Sequence, residues 1–152
     1  MASRYAIVGN ATNTQSTTLP LVSVIGATTK RVKIYDVDMG SDATPADNAA
    51  KYAFQRCTTA GTAGSSITPQ ALDPADGAAV ATSGLATFSV GPTLTASAFG
   101  LQWAQNQRAT FRWVAAPNSE LVIPATANNG FCLMPLVVTS AVNMAFTILI
   151  EE

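Results

Sequence analysis

The chain has 152 residues, 48% of them hydrophobic and only 11% charged, with a formal net charge of −1 and no histidine. Without histidine the usual general base and the commonest transition-metal ligand are missing, so Ser-His-Asp chemistry is excluded. The near-zero charge, with no long run of Lys and Arg, excludes an extended phosphate-binding surface, and nucleic acid is not expected as a partner.

The length suits one domain, residues 1–152, with a sizeable core. The stretch from Met1 to Gly9 turns polar too soon for a secretory signal, which predicts synthesis in a cytoplasm. Without secretion, the sequon Asn10-Ala11-Thr12 reads as accidental. Cys57 and Cys132 lack the paired spacing that zinc requires and are expected as two buried thiols, not a bridge.

Short apolar stretches alternate with turn residues along the chain, and none sustains a capped helical stripe for three turns. Residues 1–18 carry one short candidate strand, Tyr5 to Val8, and are read as an N-terminal arm. Leu19 to Ile25 and Arg31 to Met39 follow as strands. In the second of these the apolar parity changes between Ile34 and Tyr35, which predicts a bulge or a passage between environments. Asp36, Asp38 and Asp42 are weak metal candidates, because oxygen ligands at that spacing suit calcium. However, Gly40 stands where a third ligand belongs and no closing Glu follows. Solvated acids are the simpler reading, and neither a metal nor any other cofactor is expected.

Lys51 to Cys57 alternates cleanly, with Tyr52 and Phe54 on one face. From Thr58 to Gly84 the chain is dominated by Ala, Gly, Thr, Ser and Pro. Residues 58–84 are therefore predicted as a long contact loop lying against something, with a capped turn at Asp73-Pro74-Ala75-Asp76. Leu85 to Val90, Phe99 to Ala104, Ala109 to Ala115 and Glu120 to Ile123 are further strands, although Leu94, Ala98 and Leu101 also fit a short helix. Phe111 and Trp113 share a face. Glu120 has no visible partner acid for hydrolytic chemistry.

Phe131 to Ile150 contains no charge and is long enough to span a bilayer. Pro135, Thr139, Ser140, Asn143 and Thr147 interrupt it, and its β-branched content favours two strands, Phe131 to Val138 and Val142 to Ile150, joined at 139–141. No membrane partner is expected.

These ten candidates predict an all-β fold: an antiparallel β-sandwich of the jelly-roll kind, with about 8–10 short strands and one long small-residue loop. The last two strands are apolar on both sides, with Phe131, Leu133 and Val137 opposite Cys132, Met134, Leu136 and Val138. Such strands are buried twice. A neighbouring subunit is the expected cover, which places Phe131, Leu133, Phe146, Ile148 and Ile150 at a subunit interface or in the core beside it. Arg4, Lys30, Arg31 and Lys33 are the only local enrichment of positive charge. They form a weak candidate contact for an acidic protein surface, against the plainer reading of solvated charges.

Specific words in the sequence add to this. Lys33-Ile34-Tyr35-Asp36-Val37, Gly40-Ser41-Asp42-Ala43-Thr44-Pro45-Ala46-Asp47-Asn48-Ala49 and Gln55-Arg56 occur in order. They are followed by Ala71-Leu72-Asp73-Pro74-Ala75-Asp76, by the run from Asn106 to Pro117 and by Glu120-Leu121-Val122-Ile123-Pro124-Ala125. From about Lys30 to about Gly130 the chain resembles small structural proteins from the head gene clusters of tailed bacteriophages and prophages. The resemblance implies a capsid decoration, or cement, protein with a jelly roll like that of tumour necrosis factor. It further implies a homotrimer on the outside of an icosahedral head, bridging copies of the phage major capsid protein. The implied location is the virion surface, after synthesis in the host bacterial cytoplasm. The first 30 residues and the last two strands are less distinctive, so no capsid-anchoring residue carries over.

The rival reading is a head-fibre or minor tail recognition module binding host-surface glycan or protein, which exposed aromatic residues in loops would signal. Trp103 and Trp113 fall instead within strand-like alternation. A small hydrolase is a third class, and it lacks a nominated base.

Overall fold

The computed structural model describes residues 2–14 and 16–152. Among them are twelve strands: β1 (Arg4–Asn13), β2 (Val22–Ile25), β3 (Val32–Ser41), β4 (Ala49–Cys57), β5 (Ser65–Ile67), β6 (Gln70–Ala71), β7 (Thr82–Leu85), β8 (Leu94–Asn106), β9 (Phe111–Val114), β10 (Leu121–Ile123), β11 (Gly130–Val138) and β12 (Val142–Glu151). They form two antiparallel sheets packed as a sandwich. The first runs β10-β3-β12-β1-β6 with β9 also on β3, and the second runs β5-β7-β2-β11-β4-β8. One set of pairings is nested, β1 with β12, β2 with β11, β3 with β9 and β10, and β4 with β8, and long ladders of β12 with β3 and of β11 with β4 join them into the two sheets.

One core lies between the sheets, with Tyr5, Ile7, Ile34, Val37, Met39 and Ile148 from the first facing Val22, Val24, Tyr52, Phe54, Phe131 and Leu133 from the second. Burying each such side chain favours folding by about 1.5–3 kcal/mol, which is what commits these alternating sequences to sheets. In β12 the alternation is strict: Val142, Met144, Phe146, Ile148 and Ile150 point inward.

The parity change in β3 is a bulge. Leu149 faces Asp36 but Ile150 faces Ile34, leaving Tyr35 as the extra residue. Val32 and Ile34 therefore reach the core before it, and Val37 and Met39 after it.

Several expectations are corrected. Residues 4–13 of the predicted arm form β1, paired with β12 from Arg4–Glu151 to Asn13–Val142. The inward set Tyr5, Ile7, Ala11 and Asn13 is buried, and this places the segment inside a sheet. The strand expected at Leu85 to Val90 lies instead at Thr82–Leu85, and the helical option around Leu94 to Leu101 is replaced by β8. Asp73 caps a turn through its carboxylate and carbonyl, which accept from Ala75 N and Asp76 N.

The long loop contributes β5, β6 and β7, and its first part covers this chain's own second sheet. Thr62 bridges to Val90, and Thr58 N donates to the Thr93 carbonyl, so residues 58–62 and 90–93 run as a ribbon. Gly61, at φ 68°, lies where an added Cβ would stand 2.5 Å from the Val90 carbonyl, a position only glycine fills without strain. Ala60 and Leu94 pack with Leu136 over Ile25, Cys57, Cys132 and Met134. Phe131 to Met134 are thus buried on both faces within one chain, and β12 is buried on one face only. The double burial that suggested a covering subunit is supplied intramolecularly.

Candidate functional site

Phe131, Leu133, Phe146, Ile148 and Ile150 all belong to the core between the sheets. The surface available to a partner is therefore made of other residues, on the outer face of the first sheet and along the edge strands.

On the outer face of the first sheet, antiparallel registers set Val8, Thr147, Asp38 and Arg112 in one row across β1, β12, β3 and β9. The next row holds Ala6, Leu149, Asp36 and Val114. At one end, Glu151 joins two of the predicted basic residues, with Oε2 3.4 Å from Arg4 Nε and Oε1 3.3 Å from Lys33 Nζ. The Arg4 guanidinium also lies 5.6 Å from the Tyr35 ring centre. Burial pushes the Tyr35 hydroxyl above its ordinary value, with Arg4 opposing and Asp36 and Glu151 reinforcing the shift. These side chains line a hollow of about 230 Å³ together with Pro117 and Glu120. Lys30 and Arg31 are exposed just before β3. The four cations are thus two that share the Glu151 carboxylate and two that are solvated, not a uniform positive patch.

The three candidate metal ligands are not brought together. Asp36 is held by Arg112, whose Nη2 and Nε donate to its two carboxylate oxygens at 2.9 and 3.3 Å. This bonding raises the Arg112 pKa. Asp42 accepts from Asn143 Nδ2 at 2.5 Å and from Asn10 Nδ2 at 3.3 Å, while Asp38 stays exposed. Among the described residues no three His, Cys, Asp or Glu side chains form a group suited to a metal ion. Glu120 shares its hollow with Glu151, yet its Oε1 accepts from Asn118 N and Glu151 is ion-paired.

The second surface is an edge. β8 closes the second sheet with thirteen residues, none charged. The remaining edge strands, β5, β6, β9 and β10, have two to four residues each. From Leu101 to Asn106 the ladder to β4 is regular, whereas register shifts mark the stretch before it. Trp103 points inward and stacks on Phe111 at 4.2 Å and 6°, tying β8 to β9 across the core rim. Trp113 is half-buried against the same core. On the outer side of β8, Phe99 is 42% exposed.

Two roles were not visible in the sequence. Arg56 turns between the sheets, lies 4.5 Å from the Phe131 ring centre and donates to the Val122 carbonyl, closing one end of the core. The Glu152 carboxylate accepts from Val80 N and Ala81 N, fixing the approach to β7. Neither family models nor curated proteins nor solved structures match this chain.

Proposed function

We propose that the chain is a structural virion protein, a decoration or cement protein that trimerises on the outside of an icosahedral phage head and bridges neighbouring major capsid proteins. The observation that carries this reading is β8. Soluble proteins shield long edge strands with charge, proline or brevity, and the Leu101–Asn106 stretch has none of these. A long uncharged edge is a surface kept for another chain. The nested pairing of strands supports the jelly-roll form of the sandwich, since first-with-last pairing is how a doubled ribbon wraps around one core. The head-cluster resemblance between Lys30 and Gly130 supplies the setting.

If the edge of each copy meets a different surface of the next, the contact is heterologous and a threefold rotation closes it into a ring. A trimer seated on several shell subunits would then resist outward pressure through many weak contacts acting together. Light scattering on the size-exclusion eluate should give about three times the 15.7 kDa chain mass. Empty heads built from the accompanying major capsid protein should retain the trimer on sedimentation. A chain that stays monomeric at every concentration and does not sediment with heads overturns the proposal.

A further inference from the structure

We infer that Cys57 and Cys132 form a peroxide-reactive pair, in which Cys57 is the attacked thiol and Cys132 closes an intrachain disulfide beneath it. Cys57 ends β4 and pairs with Gly130, while Cys132 on the adjacent strand β11 pairs with Gln55. The two side chains are therefore diagonal neighbours on one face of the sheet. Both thiols are free and buried in the same small cluster with Ile25 and Met134.

The pair is not symmetrical. A hollow of about 200 Å³, lined by Arg56, Cys57, Thr95 and Asn129 among others, opens on Cys57, and Cys132 is not part of its wall. Hydrogen bonding with Cys132 and with the Gly130 backbone holds the Cys57 thiol below its ordinary value, against the effect of burial. The Cys132 thiol is pushed up, by its hydrogen bonding with Cys57 first and by burial second. A small oxidant entering the hollow thus meets Cys57 first, and Cys132, its diagonal neighbour on β11, stands ready to resolve it.

The chemistry balances with hydrogen peroxide as the oxidant. Cys57 thiolate attacks one peroxide oxygen, the O–O bond breaks, and protonation of the leaving oxygen gives one water and a sulfenic acid on Cys57. Cys132 then attacks the Cys57 sulphur. Its S–S bond forms as the S–O bond breaks, and the Cys132 proton leaves with the hydroxyl as a second water. Two thiols are oxidised and one peroxide is reduced.

Intact mass spectrometry after mild peroxide treatment should show a loss of about 2 Da per chain, reversed by a dithiol. In Cys132→Ser the reaction should stop at a sulfenic acid that a dione probe traps on Cys57. Trapping on Cys132 in Cys57→Ser should be at least about tenfold weaker. Cys132→Ala and Cys57→Ala replace either serine variant that fails to give the wild-type circular dichroism spectrum. Equal trapping in the two variants, wild-type thiols that persist through the treatment, or a bridge between chains would each overturn the assignment.

Discussion

Arg112 reaches from β9 to Asp36 with a largely exposed guanidinium, 66% accessible against 11% for the carboxylate. The two halves of this pair are therefore unequal. Removing the arginine leaves an acid that is shielded from water and has lost its counter-charge, whereas removing both leaves little unsatisfied. Arg112→Ala is expected to lower the urea midpoint, and adding Asp36→Asn to recover most of the loss. A double-mutant cycle by urea denaturation measures both steps. Tyr52 gives a second test at this scale. Its hydroxyl accepts from Asn13 Nδ2 at 3.1 Å, and burial raises its pKa above the ordinary 10.0 although that hydrogen bond opposes the shift. The folded chain then keeps the proton that the unfolded chain gives up. Stability from this group is complete below pH 10 and declines as pH rises beyond it. Tyr52→Phe should cost about 1 kcal/mol at neutral pH and flatten part of the alkaline decline in denaturation experiments run between pH 8 and 11. Neither pairing was legible in the sequence. Asp36 and Arg112 lie 76 positions apart, and Asn13 and Tyr52 lie 39 apart, so only the assembled sandwich brings them together.

At the scale of elements, what the sequence made visible was whatever leaves a period. The bulge at Tyr35 was legible because two core-facing sets change parity across it, and β12 because Val142 to Ile150 alternates without a break. Of β1 only Tyr5 to Val8 is legible as a strand, because Gly9, Ala11 and Asn13 continue its inward side with small or polar residues, which hydrophobicity alone does not register. In β11 the register shift between Pro135 and Val137 leaves Val137 52% exposed and brings Val138 onto the side of Phe131 and Leu133. Double burial holds from Phe131 to Met134, where Ala60, Leu94 and Leu136 of the same chain supply the cover. Small side chains such as Ala60 look like loop and not like a lid, and which sheet they lie on is set by tertiary folding. The placement of Ile148 changes what a substitution there reports. Ile148→Asp buries an unpaired charge in the core and is expected to cost more than about 4 kcal/mol, seen as loss of the cooperative thermal transition and not as release of folded monomer. Gly100 in β8 offers a milder probe. An added Cβ would stand 2.8 Å from Leu121 Cδ2 and 2.9 Å from Phe131 Cε1. Gly100→Ala should therefore destabilise by about 1–3 kcal/mol in urea titration.

For the whole molecule, the exposed face and the exposed edge make separable contributions. Gln102 and Ala104 are exposed on β8 and take no part in the core. Gln102→Lys combined with Ala104→Lys should leave the thermal midpoint close to the wild-type value while shifting the light-scattering mass toward the monomer. A trimer mass unchanged by these lysines would move the contact away from β8. The nested pairing also bears on how the protein is made. β11 and β12, last in order, lie in the interior of the second and first sheets, and β1 has only the two-residue β6 beside it until β12 supplies the ladder from Arg4–Glu151 to Asn13–Val142. On the ribosome, neither sheet is continuous until nearly the whole chain has emerged. The nascent polypeptide must stay soluble through translation with its first strands only partly partnered, and its low charge makes that interval the point in its life most exposed to misassociation.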